Sequence, residues 1–199
     1  MTAEALNLVD GITVPEVLLD IREHPEPVDD PPMWWVLGAS GGAAASTLAR
    51  WWAPAQVAAV PSWPAPTGES PYVVIAARDT MQSLTAAHAL LRQWAAHRAG
   101  SAVLIGVVVT ADRPRGGSPA LRRFRSVVTS LAPRHWLIDY HPIVAETLVA
   151  DLPVWEPGQP RPSRRTPLTE SPPQQAVDAG LDIVTAIADT EHAHTRTGP

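Results

Sequence analysis

Between Trp34 and Leu48 the chain sets Gly38, Gly41 and Gly42 just ahead of Ser46 and Thr47, where a short apolar run gives way to small residues. A strand entering a glycine-bearing loop and then a helix gathers backbone N–H groups around an anion, and hydroxyls in the first helical turn add to the same cradle. The loop has no lysine, and neither does the rest of the chain: all fifteen basic residues are arginines. No ammonium group is therefore present to neutralise a triphosphate, and the sequence nominates no catalytic residue.

A second constellation is cationic. Arg113, Arg115, Arg122, Arg123, Arg125 and Arg134 fall in one stretch with no acid among them, and Gly116-Gly117 makes the loop before Ser118 pliable. This is the expected surface for a polyanion or an acidic protein partner, set against the plainer alternative of a solvated helix face. Nucleic acid bound here would be held by salt-dependent phosphate contacts, since no ladder of aromatic residues is available to stack single-stranded bases.

The remaining candidates point away from chemistry. His88 and His97 do not share a helical face, His135 and His141 lack a carboxylate at ligand spacing, and His192 and His194 lie near the C-terminus, so no metal site is expected. Asp139-Tyr140-His141-Pro142, after the last expected strand, either lines a site or makes a plain turn. Of the eight tryptophans, Trp34, Trp35, Trp51, Trp52 and Trp94 fit core positions, whereas Trp63 and Trp155 stand among prolines and are candidate exposed anchors for a partner.

The elements that must position these residues follow from period and punctuation. Strands are expected at Trp34–Leu37, Val57–Val60, Tyr72–Ala77, Val103–Val109 and Trp136–Ile138. Helices are expected between them: one after the glycine loop and before Pro54, and one capped by Asp79 or Thr80, with Leu84, Ala87, Leu91 and Trp94 on one face, ending at Gly100. A third opens at Ser118-Pro119 and runs to about Leu131. Alternation of strand and helix implies an α/β three-layer sandwich with a mostly parallel sheet and a ligand site at the carboxyl ends of the strands.

At 199 residues with 45% hydrophobic composition, the chain suits one domain with extensions. The expected division is an acidic extension over 1–32, the α/β domain over 33–157, and a flexible Pro-rich tail over 158–199. Gln174 to Asp189 in that tail has the spacing of a tethered short helix. In the first extension Leu8 to Ile21 suits either a strand or a helix. Residues 1–32 hold eight acids and one arginine, 33–138 ten arginines and three acids, and 139–199 nine acids and four arginines. The basic centre is thus either masked by its own ends or offered to a partner. With no cysteine, no basic start before an apolar run and no apolar stretch near the roughly 20 residues of a membrane span, a cytoplasmic protein without membrane contact is expected.

The glycine loop resembles that of P-loop NTPases, in the partition-ATPase and MinD-like branch, whose pattern is G-K-G-G-x-G-K-S/T-T after a first strand. Ala39 stands at the first glycine, Ser40 at the branch's signature lysine, Gly41 and Gly42 at the central pair, Ala44 at the last glycine, Ala45 at the phosphate lysine, and Ser46-Thr47 at the metal-binding hydroxyls. The likeness runs loosely over 33–155 and is similar to that of uncharacterised actinobacterial proteins of plasmids and integrative elements. It implies a P-loop-like fold with Gly38, Gly41, Gly42, Ser46 and Thr47 around ATP or another nucleotide, and a homodimer. It also implies lost hydrolysis, because the lysine that offsets moving phosphate charge is gone and the second strand runs into Pro61 rather than an aspartate. Arg50, Arg78 and Arg113 are candidates to replace that cation. The same residues also fit the G-x-x-G-x-x-G/A turn of short-chain-dehydrogenase-like Rossmann proteins, through Gly38, Gly41 and Ala44, which implies NAD(P) instead. The expected role is that of an accessory or regulatory protein acting through protein or polyanion contacts, linked to plasmid or mobile-element maintenance or transfer.

Overall fold

The computed structural model describes residues 20–22, 31–58, 62–64, 70–163 and 165–197. Its elements are β1 (Asp20–Arg22), β2 (Trp34–Gly38), α1 (Ala45–Trp51), β3 (Ala55–Val57), β4 (Ser62–Pro64), β5 (Tyr72–Arg78), α2 (Met81–Ala95), β6 (Val103–Thr110), α3 (Pro119–Ser130), β7 (His135–Ile138), α4 (Pro142–Glu146) and α5 (Gln174–Thr197). Five strands form one sheet in the order β3-β2-β5-β6-β7, every pair parallel. β1 and β4 make a separate parallel pair. Residues 8–19 lie outside the described residues, as do 59 and 60 of the expected second strand, which begins at Ala55.

Alternation along each strand divides the core into two layers, because successive side chains leave a strand on opposite faces. Trp34, Val36, Val74, Ala76 and Val108 meet Leu48 and Trp51 of α1 and the inner face of α5. Trp35, Leu37, Val73, Ile75, Val107 and Val109 meet Leu84 and Leu91 of α2 and Leu121, Phe124 and Val128 of α3. The three-layer α/β sandwich is therefore doubly wound. The chain steps from β2 to β3 on one side and later from β5 to β7 on the other, so the order reverses between β2 and β5. In open α/β sheets that reversal opens a crevice outside the carboxyl ends of the strands.

Helix starts follow local chemistry. The Thr80 hydroxyl accepts from Ser83 N at 3.2 Å at the head of α2, and the Ser118 hydroxyl accepts from Leu121 N at 3.2 Å ahead of Pro119 in α3. α2 and α3 meet across a buried imidazole: His88 lies 6.3 Å from the Phe124 ring between centroids, and its Nδ1 has no hydrogen-bond partner among the described residues. Burial first, and the Arg92 charge second, hold the His88 pKa below its usual value. The unfolded chain therefore takes up a proton that the folded one refuses. His88's share of stability is complete above the ordinary imidazole value of about 6.5 and is lost as pH falls through its lower folded value. Urea midpoints measured downward from about pH 7.5 should fall, and the slope should flatten in His88→Leu. Burial also lowers the His141 pKa, against the opposing pull of Asp139, so part of the slope remains in that variant.

The C-terminal helix corrects the expectation of a tethered element in a flexible tail. α5 has 24 residues, and its Ala176, Val177, Ala179, Ile183, Ala186 and Ile187 are buried in the same layer as α1. Trp52 Nε1 donates to Ala176 O at 2.8 Å. Asp182 accepts from Trp136 Nε1 at 2.9 Å and from Arg134 Nη1 at 2.8 Å. The boundary at 157 thus cuts through a continuous hydrophobic layer. Trp155 and Trp63, expected as exposed anchors, are 2% and 0% exposed. Trp155 N donates to Trp51 O at 2.8 Å, and Trp63 packs in the layer beneath α2 and α3.

Candidate functional site

The glycine loop leaves β2 at Gly38 and stays tied to the sheet, since Ala39 N donates to Ala76 O at 2.8 Å. It then turns through Ala43 N to Ser40 O at 3.2 Å. Gly41 and Gly42 border open space, with Gly42 at φ 73°. Ser40, at the position of the branch's signature lysine, donates to Ser83 Oγ at 2.9 Å, and Ser83 Oγ in turn accepts from Arg78 N at 3.0 Å. That hydroxyl therefore ties the loop to α2. Ser46 is exposed on α1 and Thr47 is half-buried.

Ala44, at the resemblance's last glycine, caps α1 in the left-handed region at φ 66° without a side-chain cap. A Cβ there crowds the following carbonyl, which costs about 1–2 kcal/mol and is only partly offset by the lower chain entropy of alanine. Ala44→Gly is expected to raise stability by about 1 kcal/mol, a melting shift of roughly 2–4 °C. Scanning calorimetry checks this; a lowered melting temperature would contradict the strain.

The three candidate cations part company. Arg50 Nε donates to Leu152 O at 2.9 Å and so ties α1 to the segment ahead of Trp155. Arg113 Nη2 lies 3.0 Å from Asp112 Oδ2, and Arg78 Nη1 lies 3.5 Å from Asp112 Oδ1. Arg78 shares a cavity with the start of α1. That cavity, about 130 Å³, is walled by Ala44 and Thr47 on one side and by Asp139, Tyr140 and His141 on the other. The segment after β7 therefore lines this cavity. A second cavity of about 210 Å³ lies beyond it, walled by Asp79, Arg113, Arg125 and again Asp139 and Tyr140. Both fall short of the roughly 300–1,000 Å³ usual for pockets that engulf a nucleotide-sized ligand.

The arginine cluster does not form one open patch. Arg125 Nη1 pairs with Asp79 Oδ2 at 2.7 Å, and Asp79 is 2% exposed. Arg134 pairs with Asp182 and Asp189 of α5 at 2.8 and 3.4 Å. Arg122 is exposed, with Nη1 donating to Gly117 O at 2.6 Å. Arg115 and Arg123 are exposed and have no ion-pair partner among the described residues. The exposed positive face is consequently Arg115, Arg122 and Arg123, with Arg113 beside them and paired to Asp112, while Arg125 and Arg134 belong to the scaffold. The acids that claim them lie 46 and 48 residues away, beyond any local count of charge.

Among the described residues no group of three histidines or acids could hold a metal, and no helix is long and apolar enough to cross a membrane. The fold and its crevice define a doubly wound α/β protein with a glycine turn at the first strand of its main sheet. The chain belongs to a family described as "Family of unknown function (DUF6668)", matched over residues 32–152. No curated protein and no solved structure matches it.

Proposed function

We propose that this protein is an accessory or regulatory protein on a decayed P-loop-like α/β domain, binding nucleotide weakly or not at all and hydrolysing none efficiently. The observation that carries this reading is where the arginines go. With no lysine in the chain, a bound triphosphate depends on Arg50, Arg78 or Arg113, and each already shares its guanidinium with a carbonyl or carboxylate of the scaffold, which leaves donors for a small anion but little unshared charge to offset that of a triphosphate. The strand, glycine turn and helix at the sheet's reversal point support the P-loop-like descent, and the two small cavities support weak or absent nucleotide binding. Work is then done through contacts: the exposed Arg113, Arg115, Arg122 and Arg123 suit a polyanion or an acidic protein, in plasmid or mobile-element maintenance or transfer.

One observation favours a second reading, a nucleotide or NAD(P) binder with arginine in place of lysine. Arg78 lines the same cavity as Ala44 and Thr47, and its Nε is buried without a partner among the described residues. Calorimetry with ATP, GTP and NAD(P) in Mg²⁺, joined to a phosphate-release assay, separates the two. The first reading expects no phosphate release and no saturable binding below about 1 mM. Saturable binding abolished by Arg78→Gln, without turnover, establishes the second; turnover sensitive to Ser46→Ala overturns both. Titration with duplex DNA at two salt concentrations tests the basic face, where binding that ignores salt or survives loss of Arg115 and Arg123 rejects it.

A further inference from the structure

We propose that the recess between the carboxyl ends of β5 to β7 and the loop before α3 binds a small oxyanion that carries its own hydroxyl group. The recess lies outside the strand ends, where α/β sheets place ligands, and its volume of about 210 Å³ suits a ligand of few heavy atoms. Its walls include Arg113, Arg125, Asp79, Asp139 and Tyr140.

Asp79 is the first indication. It is 2% exposed, its Oδ2 accepts from Arg125 Nη1 at 2.7 Å, and its Oδ1 is buried with no partner among the described residues. A carboxylate taken out of water and left half-satisfied is costly to keep. Its effect here is to anchor Arg125 Nη1 on the wall of the recess. Asp79 thereby acts as a positioning residue. Arg125 spends one of its five N–H donors on that bond, and Arg113 pairs through one nitrogen with Asp112. Two guanidinium groups on one small recess match the forked geometry of carboxylate or phosphate oxygens.

The acceptors on the walls set the second requirement. Asp139 Oδ2 accepts from Gln175 Nε2 at 2.7 Å, and Gln175 Oε1 accepts from Asp139 N at 3.0 Å, so α5 holds this carboxylate in place. A bare anion entering the recess meets the carboxylates of both Asp139 and Asp79 on its walls. A hydroxyl next to the oxyanion turns that repulsion into a hydrogen bond, with the Tyr140 phenol as a further partner.

Calorimetric titration of the full chain with D-glycerate and with glycerol 3-phosphate tests this, and which one saturates identifies carboxylate or phosphate as the anion. Propionate and ethyl phosphate serve as comparators without the hydroxyl. At least one hydroxylated probe is expected to saturate with Kd at or below about 1 mM, and to weaken about tenfold in Arg113→Gln and in Arg125→Lys. If Arg125→Lys fails to fold, the Asp79→Asn/Arg125→Gln pair, which removes both charges together, takes its place. The proposal is overturned if neither probe saturates below about 10 mM, if the comparators bind as well as the probes, or if both arginine variants bind like the parent. It does not rest on the nucleotide reading, and ATP binding or its absence leaves it untouched.

Discussion

A chain ended at Pro173 should fail to fold cooperatively. α5 supplies three fully or almost fully buried branched side chains, Val177, Ile183 and Ile187, each worth about 1.5–3 kcal/mol on burial, besides three buried alanines. Those three alone come to a sum comparable with the roughly 5–15 kcal/mol by which a whole domain is stable. Removing the helix also strands the indole N–H of Trp52, which donates to Ala176 O at 2.8 Å, and leaves Arg134 and Trp136 without their shared partner Asp182. Near-ultraviolet circular dichroism and urea unfolding check the outcome, since Trp34, Trp51, Trp52 and Trp155 all sit in the layer that α5 covers. A truncated protein with the parent's tryptophan signal and a sharp unfolding transition would return α5 to the status of a tail.

What was legible in the sequence was what depends on local period. Trp34 and Val36 face one layer and Trp35 and Leu37 the other, so a run apolar at every position announced a strand buried on both sides. The caps at Thr80 and Ser118 are likewise written within four residues of the bonds that they make. The position of α5 was not legible in that way, although its helical spacing was. Prolines between Pro153 and Pro173 read as part of a flexible tail, yet Trp155 within that run bridges to Trp52, and Pro172 and Pro173 are buried. Gly180 was the available signal. Glycine inside a helix costs about 1 kcal/mol relative to alanine unless something must come close, and a Cβ there would stand 2.6 Å from the Trp155 ring and 2.9 Å from Trp52 Nε1. At the site, the glycine turn was legible and the partners of its arginines were not, because the acids that orient Arg125 and Arg134 arrive from distant parts of the chain.

Replacing Arg125 with methionine should lower stability by about 3–5 kcal/mol, far more than the same change at its neighbours on α3. Asp79 directly follows β5, with N donating to Thr110 O at 2.8 Å and a carboxylate whose one partner among the described residues is the Arg125 guanidinium. The loss comes less from the attraction of the pair than from the uncompensated charge left in the interior when one member goes. Arg122 and Arg123 are exposed, so Arg122→Met and Arg123→Met should each stay within about 0.5 kcal/mol of the parent. Three adjacent arginines that composition treats alike are thereby split by measurement into one scaffold residue and two surface charges. Urea midpoints at unchanged slope give the comparison. Adding Asp79→Asn to Arg125→Met should restore most of the loss, because a neutral amide needs no counter-charge. A loss that persisted in the double variant would locate the effect in the packing of the arginine stem rather than in the charge of Asp79.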